Sequence, residues 1–401
     1  MKDFEAFRKT CETNSSISET VIDEFILYYA TGQYRLDRNM TKAFSAFRHV
    51  TNEFEQEWIN RLKAQYLTHK IFQSGGLIRK VITHTELKRL NRTEMEFLEH
   101  QISHPWRFCF SIILDNPAPD FFLMEDILTG EPFTLFSPGI TDTNKDQKTS
   151  LWFNLISFNG ACWQSFGPIA AYKSFELDDI FFFATELDRR IESKEDIIRN
   201  IDKNPLPYMM LLSGANYPIT MHKQDRVVQV YSEFSVSQVD NLAIKKSFTS
   251  EFSHDVYKFT LKRWGKHPHF AQFYFDENKK KVLLYASTNR GYLALVKALN
   301  QLGFNFSEEP DIRVNMSMLV TAKGILKKEI TLNNYDHLFH VDTPPKDQEV
   351  LDNLNAFMRM ILPDINAGRK PDIEKHAANA GVDIETAREL VKTLFDKTGR
   401  R

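Results

Sequence analysis

The residues best suited to chemistry lie at Lys266-His267-Pro268-His269, with Glu251, His254 and Asp255 shortly before them. Two histidines separated by one residue point to the same side of an extended backbone, and imidazoles with a carboxylate form a familiar zinc ligand set. His267, His269 and Asp255 are therefore the catalytic candidates of a metal-dependent hydrolase, a reading that requires all three to converge in one pocket. The competing reading is plainer. Gly265 to Pro268 has the chemistry of a turn, where polar histidines are ordinary, and no HExxH pattern accompanies them.

A second pattern lies at Ile373 to Leu390, IEKHAANAGVDIETAREL. Ala377 stands four residues before Gly381, Val382 follows it, and Ala380, Ala387 and Leu390 suit packed positions. This spacing resembles the helix-turn-helix unit, in which small residues let two helices cross closely and the turn glycine takes a left-handed conformation. The resemblance implies a DNA-binding tail, with Arg388, Lys392, Lys397, Arg400 and Arg401 as the residues facing phosphate. Against that, Glu385 and Glu389 sit where a recognition helix meets DNA, and Asp383 serves as an N-cap rather than a phosphate anchor. A helical hairpin used for packing or protein binding is the leading reading of this segment.

Other candidates carry less. Glu125, Asp126 and Glu131 flank a hairpin, but neighbours on a strand point to opposite faces, so the first two do not form an acid/base pair. Ser213-Gly214 lacks the Gly-x-Ser-x-Gly frame of a nucleophile elbow. Lys279-Lys280-Lys281 reads as a solvated hairpin tip. Neither GxGxxG nor GxxxxGK[ST] occurs, and no cofactor is implied. Cys11, Cys109 and Cys162 are odd in number and widely spaced, which suggests neither a disulfide framework nor a zinc knuckle, and a reducing cytoplasm fits them.

The elements that must position these residues follow from periodicity. An N-terminal region, 1–104, reads as helical. Val21, Ile22, Phe25, Ile26 and Tyr29 form one stripe; Phe44 to Tyr66 forms another, in a helix expected over 41–72; a third helix spans 85–102. The region 105–204 is rich in antiparallel strands: Phe108 to Leu114, Phe121 to Ile127, Pro132 to Phe136, Leu151 to Phe158, Cys162 to Phe166 and Ala170 to Phe175. Gly130 and Asn159-Gly160 supply its tight turns, and Asp178 to Leu187 reads as a helix.

A second α+β unit, 205–342, carries strands over 227–236, 256–261, 269–275 and 281–287, followed by a helix from Asn289 to Leu302. The tail, 343–401, begins with a helix from Asp347 that stops at Pro363. LMEDILTGEPFTLFSPG, Leu123 to Gly139, and the strand-turn-strand-helix unit of Phe270 to Gly303 resemble parts of uncharacterised bacterial proteins that often carry a cysteine-rich SEC-C zinc motif. That cysteine motif is missing here, so no ligand site and no catalytic residue carries over.

Composition agrees with a folded chain. Hydrophobic content is 42%, and 33 Phe residues predict aromatic-rich cores. A formal net charge of −2 gives no global pull toward nucleic acid or anionic membrane, and no apolar run approaches a membrane span. The expectation is an α+β protein without a secretory signal: a cytoplasmic, non-enzymatic binding or adaptor protein with a protein partner or a second copy of itself. The alternatives are the DNA-binding regulator and the hydrolase.

Overall fold

The computed structural model describes residues 3–28, 32, 34–143, 151–215, 217, 221–222, 225–226, 230–236, 244–311, 315–331, 345–366 and 369–398. The fold is α+β, in two compact units, Met1–Tyr335 and Asp336–Arg401. The expected tail boundary at 343 therefore lies close to the division.

In the first unit, α1 (Phe4–Ser18) starts on an Asp3 cap and continues without a break as a π-helical turn, Glu19–Ile26. The stripe from Val21 to Ile26 is thus the second half of a longer helix, with Val21, Ile22 and Ile26 buried from it, and Tyr29 lies outside the described residues. The single helix expected over 41–72 is three pieces: α2 (Leu36–Ser45), a turn at Arg48–Thr51, and α3 (Gln56–Phe72). The reason is geometric. In a straight helix Phe44 and Tyr66 would stand roughly 33 Å apart, whereas here their rings meet edge-on at 5.8 Å because the chain doubles back over one core. The third helix begins later than expected, as α4 (Arg92–Ser103), where Asn91 and Glu94 form a capping box.

Five strands close a small barrel: β1 (Arg107–Ala118), β2 (Phe121–Asp126), β3 (Pro132–Phe136), β4 (Leu151–Phe158) and β5 (Trp163–Tyr172), in the order β1-β2-β3-β5-β4. The sheet is antiparallel except at the closure, where β3 runs parallel to β5. Two strands were expected where β5 is one. Gly167 bends it at φ +72°, and Gln65 of α3 fills the bend, donating from Nε2 to the carbonyls of Phe166 (2.8 Å) and Pro168 (2.9 Å). Alternation gives the barrel two faces. Cys109, Phe122, Met124, Leu135, Trp152 and Ile156 fill the interior, while Phe108, Phe110, Phe153 and Tyr172 pack outward on the main core.

Helices α5 (Leu177–Leu187) and α6 (Lys194–Lys203) follow, α6 with a Ser193/Asp196 capping box. Beyond them lies a two-stranded ribbon, β6 (Met221–His222) and β7 (Asp225–Arg226), and then a second, five-stranded antiparallel sheet. Its strands are β8 (Val230–Ser235), β9 (Phe248–Ser253), β10 (Val256–Leu261), β11 (Ala271–Asp276) and β12 (Lys281–Ala286), in the order β8-β12-β11-β10-β9. Positions 227–229 of the expected first strand lie outside the described residues. Helix α7 (Asn289–Asn300), capped by Thr288, covers one face, and α8 (Met316–Leu326) extends an apolar run read only to Leu319. One hydrophobic core joins the N-terminal helices, the outer barrel face, the second sheet and α8.

Among the described residues the second unit has three helices: α9 (Pro345–Asn366), α10 (Ile373–Ala380) and α11 (Ile384–Thr398). Helix α9 runs through Pro363, where a stop was expected. Ile361 and Ile365, on either side of the proline, are both buried in this unit's core, which offsets the hydrogen bond that proline cannot make. No helix among the described residues is long and apolar enough to cross a membrane.

Candidate functional site

The second sheet separates the hydrolase candidates. Asp255 and His254, at φ +62° and +50°, form the β9–β10 turn, and Asn278 donates to Asp255 Oδ2 at 3.1 Å. That turn lies where Val256 pairs with Asp276, whereas His267 and His269 lie before Ala271, at the other end of β11. Six residues of strand, roughly 17 Å, lie between. Nor are the histidines on a strand: the segment 265–269 is a turn.

His269 is fully buried and both ring nitrogens are engaged, Nδ1 with Thr288 Oγ1 (2.6 Å) and Nε2 with the carbonyl of Ile191 (2.9 Å). Because the Ile191 carbonyl can only accept, the ring proton sits on Nε2, and the neutral ring's Nδ1 accepts from the Thr288 hydroxyl, whose oxygen also accepts from the Gly291 amide. Burial holds this imidazole below its usual pKa. It ties the loop after α5 to the cap of α7. Among the described residues no group of three or more His, Cys, Asp or Glu gathers as a metal site.

His267 is exposed, stacks on Phe181 (4.9 Å) and meets Ser287 Oγ at 3.2 Å through Nδ1. It stands between two hollows. One, of about 800 Å³, takes in Lys194 and Glu195 at the start of α6 together with Lys262, Arg263, Trp264 and Lys266. The other, of about 410 Å³, lies over Gln272, Tyr274, Leu283 and Tyr285 of the sheet. Tyr285 is pushed up to about 12 by burial and by the charge of Asp178. Asp178, at the start of α5, is raised to about 6 by burial and by Glu176.

Gln272 Oε1 is buried without a hydrogen-bond partner. Sequence reasoning missed these residues. Strand alternation could have put Gln272 and Tyr274 of β11 on one face, but Asp178 reaches the site from another element entirely.

The barrel hairpin places its acids as alternation requires. Asp126 turns inward, taking Arg107 Nη1 at 2.7 Å, the Cys109 thiol at 3.4 Å and the Leu128 amide at 2.9 Å, which makes it a structural ion pair. Lys279 and Lys281 pair with Asp276 and Glu233 at a hairpin tip.

In the second unit the expected hairpin is present as two helices. Gly381 ends α10 at φ +66°, Asp383 Oδ2 caps α11 by accepting from the Thr386 amide (3.0 Å), and Ala377, Ala380 and Ala387 are buried between helices. Val391, rather than Leu390, is the deeper residue of the second helix. Arg388 is held by Glu374 at 2.7 Å, and Lys392 is exposed. Nothing is described of the Lys397 side chain, and Arg400 and Arg401 lie outside the described residues. Neither a family model, nor a curated protein, nor a solved structure matches the chain.

Proposed function

We propose that this is a non-enzymatic binding or adaptor protein that takes a protein partner on its C-terminal three-helix unit. The observation that carries the reading is the apolar stripe of α9. Its C-terminal half, Phe357, Ile361 and Ile365, is buried by α10 and α11, but the stripe continues past that cover to Val350 and Leu351, which are 57% and 45% exposed. Isolated exposed apolar residues are ordinary; a core stripe that outruns its own core is a surface suited to a partner. The acids Glu385 and Glu389 at the start of α11, and the tying of Arg388 to Glu374, favour protein over DNA. The tight turn at Gly381 with its small buried residues supports the second reading, a DNA-binding regulator.

The test uses the full chain. Sedimentation velocity over a wide concentration range reports self-association. Crosslinking in a lysate followed by rebinding of the captured, purified protein reports a different partner. Weakening by V350D/L351D of about tenfold or more, the equivalent of about 1.4 kcal/mol, supports the reading. Association untouched by that variant moves the interface elsewhere. Salt-dependent binding of random duplex DNA that R388E/K392E abolishes replaces it with the regulator.

A further inference from the structure

Cys11 on α1 and Cys162, just before β5, are 151 positions apart, yet their Sγ atoms lie 3.4 Å from each other. Both are buried, and neither is in a disulfide. The sequence spacing suggested no pairing; the fold makes one by laying α1 along the β4–β5 turn. That turn is fixed by Asn159, whose Oδ1 accepts from the amides of Ala161 (3.0 Å) and Cys162 (2.9 Å) and whose Nδ2 donates to Cys11 Sγ at 3.2 Å. The helix is held from the barrel side by Gln164, which donates to the Cys11 carbonyl (3.1 Å) and to Ser15 Oγ (2.5 Å). Arg8 anchors the preceding turn through Asp120 at 2.9 Å.

We propose that Cys11 and Cys162 are a dithiol–disulfide redox site that takes a hydroperoxide as its oxidant and, when oxidised, fastens α1 to the barrel. The two sulfurs need only about 1.4 Å of approach to reach the 2.05 Å of a disulfide. Cys11 is the attacking sulfur: it receives the Asn159 N–H, and its pKa is lowered by the Cys162 hydrogen bond, with burial opposing and Asn159 and Arg8 assisting. The Cys11 thiol ionises, its thiolate attacks the terminal peroxide oxygen, the O–O bond breaks, and the departing alkoxide or hydroxide takes up the proton released on ionisation, leaving a sulfenic acid and an alcohol, or water from hydrogen peroxide.

Cys162 sulfur then attacks the sulfenic sulfur, and hydroxide leaves with the Cys162 proton as water. Two thiols lose two electrons, and one hydroperoxide gains them. Phe4 and Phe7, near the start of α1, pack against the cluster of Cys11, Phe121, Phe136 and Cys162, so opening of that helix end is the route we assign to the oxidant. Cys109 is the internal contrast. It lies inside the barrel, its thiol pushed up by burial and by Asp126, in a different cluster from Cys11 and Cys162.

The experiment treats reduced full-length protein with stoichiometric hydrogen peroxide, counts remaining thiols, and maps peptides without reduction. The expected result is loss of two of the three thiols, a Cys11–Cys162 crosslink, and a rise in Tm on the order of 5 °C that a dithiol reductant reverses. C162S should stop at a Cys11 sulfenic acid trapped by dimedone and show no Tm rise. The wild-type map alone decides the matter if a variant fails to fold. Oxidation of Cys109 first, no loss of thiols, or a crosslink that appears only in denaturant would each overturn the proposal.

Discussion

His269 is fully buried with both ring nitrogens engaged, and its consequence for stability is correspondingly large. Replacing it by Ala strands the Ile191 carbonyl and the Thr288 hydroxyl and opens a cavity, for an expected loss of about 2–4 kcal/mol at neutral pH in urea unfolding. Its native pKa lies below the unfolded value, so its stabilising effect is complete above about pH 6.5 and declines as pH falls toward the native value. The cost of H269A should therefore shrink between about pH 7 and pH 5; a pH-independent cost would contradict the neutral-imidazole assignment.

Asp178 behaves with the opposite sign. Its native pKa of about 6 exceeds that of an unfolded aspartate, so the fold favours the protonated acid and loses stability as pH rises through about 6. D178N should gain about 1–2 kcal/mol near pH 8, after discounting for partial exposure, and little at acid pH. No gain at the higher pH would show a cation already compensating the carboxylate. The turn character of His267-Pro268-His269 was legible from its glycine and proline. The distance of Asp255 from them follows only once β10 and β11 are paired, and Asp178 enters from α5 with no sequence signal at all.

At the scale of elements, the legible parts are those whose pattern and whose burial share one period. β3, β4 and β10 begin and end where their apolar runs meet turn residues, and β4 is buried on both sides, Trp152 and Ile156 within the barrel and Phe153 and Leu155 on the main core. β9 was not foreseen: FTSEFS is an edge strand with only Phe248 buried, held by the ladder to β10 rather than by its own pattern. β5 was read as two strands, Cys162 to Phe166 and Ala170 to Phe175, whereas the barrel runs one strand through Gly167-Pro168 and uses that pair as a bend. That bend depends on glycine. At φ +72° an alanine is strained, and its Cβ would meet Gln65 at 3.2 Å, so G167A should cost about 1–3 kcal/mol and loosen the contact between α3 and β5. Hydrogen exchange at Phe166 to Ile169 measures this, and unchanged protection there would mean that Gln65 is not what holds the bend.

For the whole molecule, the α+β class followed from the succession of periods, and the tail stood out by the spacing of Ala377, Ala380 and Gly381. The continuity of the core from Val21 to Ile330 was not legible, because contacts between distant segments leave no local trace. Two cores of very different size imply two different responses to the same injury. Phe357 is fully buried in the small core of α9, α10 and α11, and Phe153 lies in the large core of the first unit. A Phe to Ala change costs about 3–5 kcal/mol at such sites.

A unit the size of Asp336–Arg401 has little more than that to lose, since so short a chain buries a small fraction of its surface. F357A should therefore abolish exchange protection across α9, α10 and α11 while β1, β4 and β11 keep theirs, and it should abolish partner binding with it. F153A should lower protection by a common amount in α3, β4 and β11, because they share one core, and leave α10 and α11 unchanged. Equal loss in both units from F357A would mean that the chain folds as one cooperative body, and the three-helix unit could then no longer be treated as a separately folded binding module.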